Sequence, residues 1–365
     1  MARDITIRKH PVYVARCAQI LRNRLAIDGG RPYVDERLQR APNETDVSWL
    51  GSSDDGVGGR RERACLVNDA GRIAAKINQY LFKSPVTRSG ADEGWLDNVT
   101  GDGKSASRFM EDVSTALTAA GWCWLQVDRN PQEFDEFGNP KPYTLASAGA
   151  NPVKWRLWEA LDVTDWHVDD DGEIRWLITR AVKRIDANPE ADGEDVTIYT
   201  LYHKDEDGAV YVTERADRNV PGVALRTRAP IPGRVPFVLV GTPTPRPWWF
   251  DDVENIQCQV LNLDSLHNET LTNGVYPQLV VPYSLLQSLD VDLKLEKAGS
   301  RERIRLQREL VKGRSNPLFE DAEDRGTTRY IQPNAGDLSQ IVAEANRKRG
   351  LLFDMAGLSL FNKET

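Results

Sequence analysis

At 365 residues the chain is longer than one average domain and can bury a sizeable core, so two or three substructures are expected. Apolar residues at 40% and charged residues at 28% are ordinary for a globular protein. A net charge of −8 with a pI near 5.3 argues against tight nonspecific coating of nucleic acid, which rests on clustered Lys and Arg releasing counterions.

Cys17, Cys65, Cys123 and Cys258 lie far apart with no CxxC spacing, so neither a zinc site nor a disulfide framework is expected, and a reducing compartment fits. The opening MARDITIRKHP has no apolar signal core, and no run approaches the ~18 apolar residues of a membrane span. Synthesis inside the cell, with no membrane partner, is the expectation.

The first helix is predicted over residues 11 to 25, followed by a loop through Gly51 to Gly59 that is too rich in Gly and Ser to pack. Leu66, Ala70, Ile73, Ile77 and Tyr80 or Leu81 predict one helix from Arg60 to Phe82, stopped by Ser84-Pro85. A further helix from Ser105 to Ala120 carries Phe109, Val113 and Leu117 on one face, and Gly121 releases it into the strand WCWLQVD. From about 155 to 241 the pattern alternates. IRWLITRAV, VTIYTLYH and AVYVTE read as antiparallel strands separated by Asp171-Gly172 and Asp207-Gly208 turns. Prolines from Pro232 to Pro247 then mark an extended connection.

The next helix is long and unusually polar. Asp251 is its expected N-cap, with Glu254 as the returning acceptor, and Asn273-Gly274 its stop. Val253, Ile256, Val260, Leu263 and Leu266 form one narrow apolar stripe among Gln257, Gln259, Asn262, Ser265, His267, Asn268 and Thr270. Such a helix is not expected deep inside a core; it suits a stave in a ring of identical helices. YPQLVVP and LDVDLKLE read as strands, whereas RERIRLQRELVK fits either helix or strand. Asp337 to Met355 is a second amphipathic helix carrying Leu338, Ile341, Val342, Ala345, Leu352 and Met355.

Three chemical motifs are weighed against plainer readings. NVTGDGKS, Asn98 to Ser105, resembles a phosphate-binding loop, but Asn98 stands where a glycine is needed and no buried strand precedes it, so a capped helix start is preferred. Asp205, Asp207, Gly208 and Glu214 have the spacing of a calcium loop, with His203 in the first ligand position; an Asp-Gly hairpin is the simpler reading. The four histidines, His10, His167, His203 and His267, join no metalloprotease or nucleophile-elbow pattern, and Asp169, Asp170 and Asp171 sit in a turn. No catalytic site, metal or cofactor is expected. Trp122, Trp124, Trp155, Trp158, Trp166 and Trp176 are read as packing residues.

The order of these elements resembles the portal proteins of tailed bacteriophages. AAGWCWLQVD is similar to the family's helix, glycine and strand, and LWEALDVTDWHVDDDGEIRWLI to its extended passage into a hairpin. VPFVLVGTP and DVENIQCQVLNLDSLHNETLTNGVYPQLVVP are similar to its linker, first stem helix and following strand. The resemblance covers most of Arg60 to Thr365.

It implies an α+β, portal-like fold with a helical wing, a small antiparallel sheet, two long stem helices and an α/β clip, assembled as a ring, usually of twelve subunits. Residues 1–250 would be the wing, helical to about 121, mixed sheet over about 122–241 and linker to 250. Residues 251–274 would be the first stem helix, 275–333 the clip, 334–356 the second stem helix and 357–365 the start of a tunnel loop, with the rest of wing and crown absent. The implied role is the channel at one vertex of the virion capsid, assembled in the host cytoplasm, through which double-stranded DNA is packaged and ejected. Implied partners are the terminase large subunit, which hydrolyses the ATP, a head-completion adaptor, the major capsid protein and scaffold.

Asn362, Lys363, Arg347 and Lys348 are the expected DNA-channel residues, with Ser359 to Thr365 leading into a loop that projects toward DNA. Arg301, Arg303, Arg305, Arg308, Lys312 and Arg314, facing only Glu302 and Glu309 nearby, are the expected clip residues that meet the motor or DNA. Acidic residues such as Asp251, Asp252, Glu254, Asp264 and Glu269 would let a duplex slide past. Two alternatives remain: another head–tail junction or capsid protein, and a nucleotide-dependent enzyme built on Gly103, Lys104 and Ser105.

Overall fold

The computed structural model describes residues 4–41, 44, 46–52, 57–84, 86–88, 93–129, 153–185, 194–218, 227–274, 278–282, 318–320, 329–331 and 335–358. Helices and strands are mixed, giving an α+β chain. It divides into two compact units: Met1–Tyr33 with Asn68–Asn255, and Val34–Val67 with Ile256–Thr365.

In chain order the helices are α1 (Pro11–Asp28), α2 (Gly30–Arg37), α3 (Asp46–Leu50), α4 (Arg60–Arg63), α5 (Asp69–Leu81), α6 (Glu93–Leu96), α7 (Ala106–Ala120), α8 (Trp249–Gly274) and α9 (Ala335–Met355). The first two strands, β1 (Gly51–Ser52) and β2 (Val57–Gly58), pair within the loop expected to be bare.

The first unit is built on two antiparallel sheets. One orders β3 (Trp122–Arg129) between β4 (Val153–Glu159) and β10 (Phe237–Gly241). The other runs β5 (Val163–Val168), β6 (Ile174–Ile185), β7 (Glu194–Lys204), β8 (Ala209–Ala216) and β9 (Thr227–Pro232) in sequence order. Leu177, Tyr202 and Val212 lie opposite one another across β6, β7 and β8. The extended Pro-rich connection is thus partly strand, with β10 pairing to β3 from Phe237 opposite Gln126 to Gly241 opposite Trp122.

Packing follows the sheet faces. Trp122, Trp124, Trp158, Trp166, Leu177 and Phe237 share one buried cluster. Val99, Phe109, Val113, Ala116 and Cys123 form another, where α7 covers the opposite face of β3. Trp122, Trp124, Trp158 and Trp166 are buried as expected, whereas Trp155 and Trp176 are half-buried.

The α7-to-β3 junction forms as predicted. Ser105 caps the helix by accepting the Arg108 N–H, and Gly121 ends it at φ 86°. The helix expected over Arg60 to Phe82 is broken. Ala64, extended at φ −63° and ψ 127°, ends α4, and Asn68 starts α5 by accepting the Gly71 N–H at 2.8 Å. Helix α8 also begins earlier than expected. Its Asp251 accepts from the Trp248 N–H at 2.8 Å, so Asp251 plays the returning-acceptor part assigned to Glu254.

The second unit holds the greater part of α8, all of α9 and a three-stranded sheet ordered β12-β11-β13, comprising Leu318–Glu320, Gln278–Pro282 and Arg329–Ile331. The central β11 pairs parallel with β12 and antiparallel with β13.

Candidate functional site

A buried helix must pair its polar side chains, and α8 does so along its length. The expectation that its polar residues could not enter a core is overturned: Glu254 and Gln257 are fully buried, Ser265 nearly so, and Leu266 of the expected stripe is exposed.

Within the first unit, Asp251 receives the Arg16 guanidinium through both oxygens, at 2.5 and 2.9 Å, and the Asn23 side chain at 2.8 Å. Burial pushes the Asp251 carboxyl up, but the hydrogen bonds from Arg16, Asn23 and the Trp248 N–H together hold it below its ordinary value. Glu254 accepts from the Tyr33 hydroxyl at 3.2 Å and from Gln19 at 3.2 Å.

Within the second unit the same helix continues the pattern. Gln257 donates to the Val67 carbonyl at 2.9 Å, and Asn262 accepts the Gln39 N–H at 2.8 Å. Ser265 accepts from Arg60, itself buried and ion-paired to Glu44 at 2.7 Å. Glu269 pairs with Arg63 at 2.6 Å, and Asp264 with Arg349.

Of the expected channel residues, Arg347 and Lys348 lie on α9. Lys348 donates to Gln259 at 2.6 Å, and both cations meet Glu344. The Arg347 contact first, then that of Lys348, draws the exposed Glu344 carboxyl down to about 2. Asn362 and Lys363 lie outside the described residues, as do the expected clip residues Arg301, Arg303, Arg305, Arg308, Lys312 and Arg314.

The loop that resembles a phosphate cradle is occupied by its own chain. Asn98 accepts the Gly103 N–H at 2.7 Å, the Val99 N–H reaches the Lys104 carbonyl, and Lys104 pairs with Asp112 at 2.6 Å. The calcium-like spacing is the turn between β7 and β8. There the Asp205 N–H meets the Ala209 carbonyl and the Gly208 N–H the Asp205 carbonyl.

A cleft of about 790 Å³ opens in the first unit beside β4. Trp155, Leu157 and Phe109 supply apolar wall, and Arg24, Lys154, Arg156, Asp28, Glu159 and Asp162 supply charged groups of both signs. Burial raises the carboxyl pKa values of Glu159 and Asp162; Arg24, 3.3 Å from Glu159, opposes the first shift, and the Glu159 N–H opposes the second. Nearby, burial pushes the Cys123 thiol up to about 12.

Neither the cleft nor the partners of α8 was apparent in the sequence. Arg16, Gln19, Asn23 and Tyr33 lie 221 to 235 positions from the helix residues they meet. Their only early sign is the need of a polar helix for internal partners.

No family model matches the sequence, and no curated protein matches it. Among solved structures the chain is similar to one from the virion of a native gene transfer agent particle, at a TM-score of 0.33 and 11% identity. The match covers 92% of this chain and 73% of that one. Among the described residues, no helix is long and apolar enough to cross a membrane.

Proposed function

We propose that the chain is a subunit of a portal-type ring, a structural conduit for double-stranded DNA at a capsid vertex with no catalytic site of its own. The observation that carries this reading is the pair of long helices around a strand-bearing segment. Helices α8 and α9, of 26 and 21 residues, bracket the segment that supplies β11, β12 and β13. At about 1.5 Å per residue they extend roughly 39 and 31 Å, long enough to line a channel.

In this reading α8 and α9 are the stem helices and residues 275–333 the clip that docks terminase and the head-completion adaptor. Residues 357–365 begin the tunnel loop. Apolar surface left on both helices supports self-association: Leu266 and Leu271 on α8 and Val342, Leu351 and Met355 on α9 are all more than a third exposed. A heterologous contact repeated around an axis closes a ring when the rotation per subunit divides the circle.

Native mass measurement of the purified chain at micromolar concentration tests the proposal. A closed oligomer of defined subunit number is expected, with an axial channel in negative-stain images. A chain that remains monomeric overturns it.

A further inference from the structure

We infer that the solvent-facing side of the five-stranded sheet, at the end that carries the β5–β6 and β7–β8 turns, docks an arginine-bearing extended segment of a partner protein. The inference does not rest on ring formation and starts from register. His167 lies opposite Trp176 across β5 and β6, Trp176 opposite His203 across β6 and β7, and His203 opposite Tyr211 across β7 and β8. Directly opposed residues share a sheet face, so four rings form one row across four strands, roughly 14 Å long at about 4.8 Å per strand. Leu177 and Tyr202, one position along, turn to the other face and join the buried cluster of tryptophans.

What covers Trp176 shows what this surface accepts. The Arg8 guanidinium lies 4.1 Å from its ring centroid and reaches Asp165 at 2.7 Å, while His167 stacks beside it with centroids 6.1 Å apart. A guanidinium on an aromatic face, with a carboxylate in reach, is thus used once within the chain itself. His203 and Tyr211 continue the same row. Both are exposed and, among the described residues, carry neither a cation nor another ring.

Charge selects the sign of the partner. The turns at Asp169–Gly172 and Asp205–Gly208 stand side by side at this end of the sheet, tied by Lys204 to Glu173 at 2.6 Å. Asp169 and Glu173 are paired, but Asp170, Asp171, Glu206 and Asp207 are exposed and, among the described residues, form no ion pair. Four open carboxylates beside a row of rings repel phosphate and attract cations, which disfavours a nucleic acid and favours a basic peptide. Arginine suits the surface better than lysine, because its planar, weakly hydrated guanidinium stacks on a ring and still donates to carboxylates from its edge. Arginines at alternate positions of an extended segment lie on one side of it, about 7 Å apart. One stacks on His203 and Tyr211, as Arg8 does on Trp176, and its neighbour meets Glu206 and Asp207.

The probe is the dye-labelled, amidated peptide Ser-Arg-Ser-Arg-Ser-Arg-Ser, titrated into the full chain at physiological salt and followed by anisotropy. Saturable binding is expected. Tyr211→Ala with His203→Ala should weaken it at least about tenfold, and Glu206→Gln with Asp207→Asn at least about threefold, with a shallower dependence on salt. The same peptide with lysine in place of arginine keeps the charge but loses the stacking plane, and should bind at least about fivefold more weakly. That comparison uses the unmodified chain, so it stands whether or not a variant folds. Equal binding of the two peptides overturns the proposal, because charge alone would then account for it. Unchanged binding by the Tyr211 and His203 variant does the same. Failure of the arginine peptide at millimolar concentration also overturns it, and binding of an oligothymidylate in its place would assign the row to nucleobases.

Discussion

Arg16 and Asp251 carry opposite charges into the interior, where each needs the other. Both are about 5% exposed, and their two-pronged contact is reinforced by Asn23. Removing one member of a buried pair leaves the other as an unpaired charge in a poorly solvating site, at a cost of about 3–5 kcal/mol. Asp251→Ala should therefore lose stability of that order. Asp252→Ala, one position on and exposed, should change it by less than about 0.5 kcal/mol. Urea midpoints of the two variants check the contrast, and equal midpoints would remove Asp251 from its structural role. The sequence showed Asp251 as a helix-start residue, which it is. It did not show the destination of the second oxygen, because the partner lies 235 positions away.

Elements were legible wherever their signals are local. Helix α7 has its cap, apolar face and terminal glycine within seventeen consecutive residues, so it was found almost to the residue. The α4–α5 break was missed because an amphipathic period continues through it, while the decisive feature is the side chain of Asn68 acting as a cap. Helix α1 shows another such cap, and this one titrates. His10 accepts the Val12 N–H through Nδ1 at 3.2 Å and stacks on Trp166 with ring centroids 3.9 Å apart. Burial lowers its pKa from the ordinary 6.5, against the pull of Asp165, which Arg8 already pairs at 2.7 Å. A histidine held neutral in the folded state contributes stability that is complete above pH 6.5 and lost as pH falls through the lowered value. His10→Asn keeps an acceptor at the cap without a titrating group. It should flatten the decline in stability as pH falls below 6.5, read as urea midpoints at stepped pH. An unchanged acid slope would mean that His10 does not supply it.

For the whole molecule, a net charge of −8 makes the run from Arg301 to Arg314 stand out, since its cations are opposed locally only by Glu302 and Glu309. These residues lie outside the described residues, within the proposed clip. Charged surfaces steer partners together over distances of about a Debye length, roughly 8 Å at physiological salt, and fix which faces meet. A motor or adaptor with an acidic face would be drawn to such a run. Arg347 and Lys348 differ: their charges are already shared with Glu344 on the same helix, where solvent screens them. Reversing Arg305, Arg308 and Lys312 to Glu should therefore abolish DNA packaging while leaving the oligomer intact by native mass. In the unmodified protein the affinity for the motor should fall as salt is raised. Normal packaging by the triple variant would return the run to an ordinary solvated surface, whereas loss of the oligomer itself would place it between subunits.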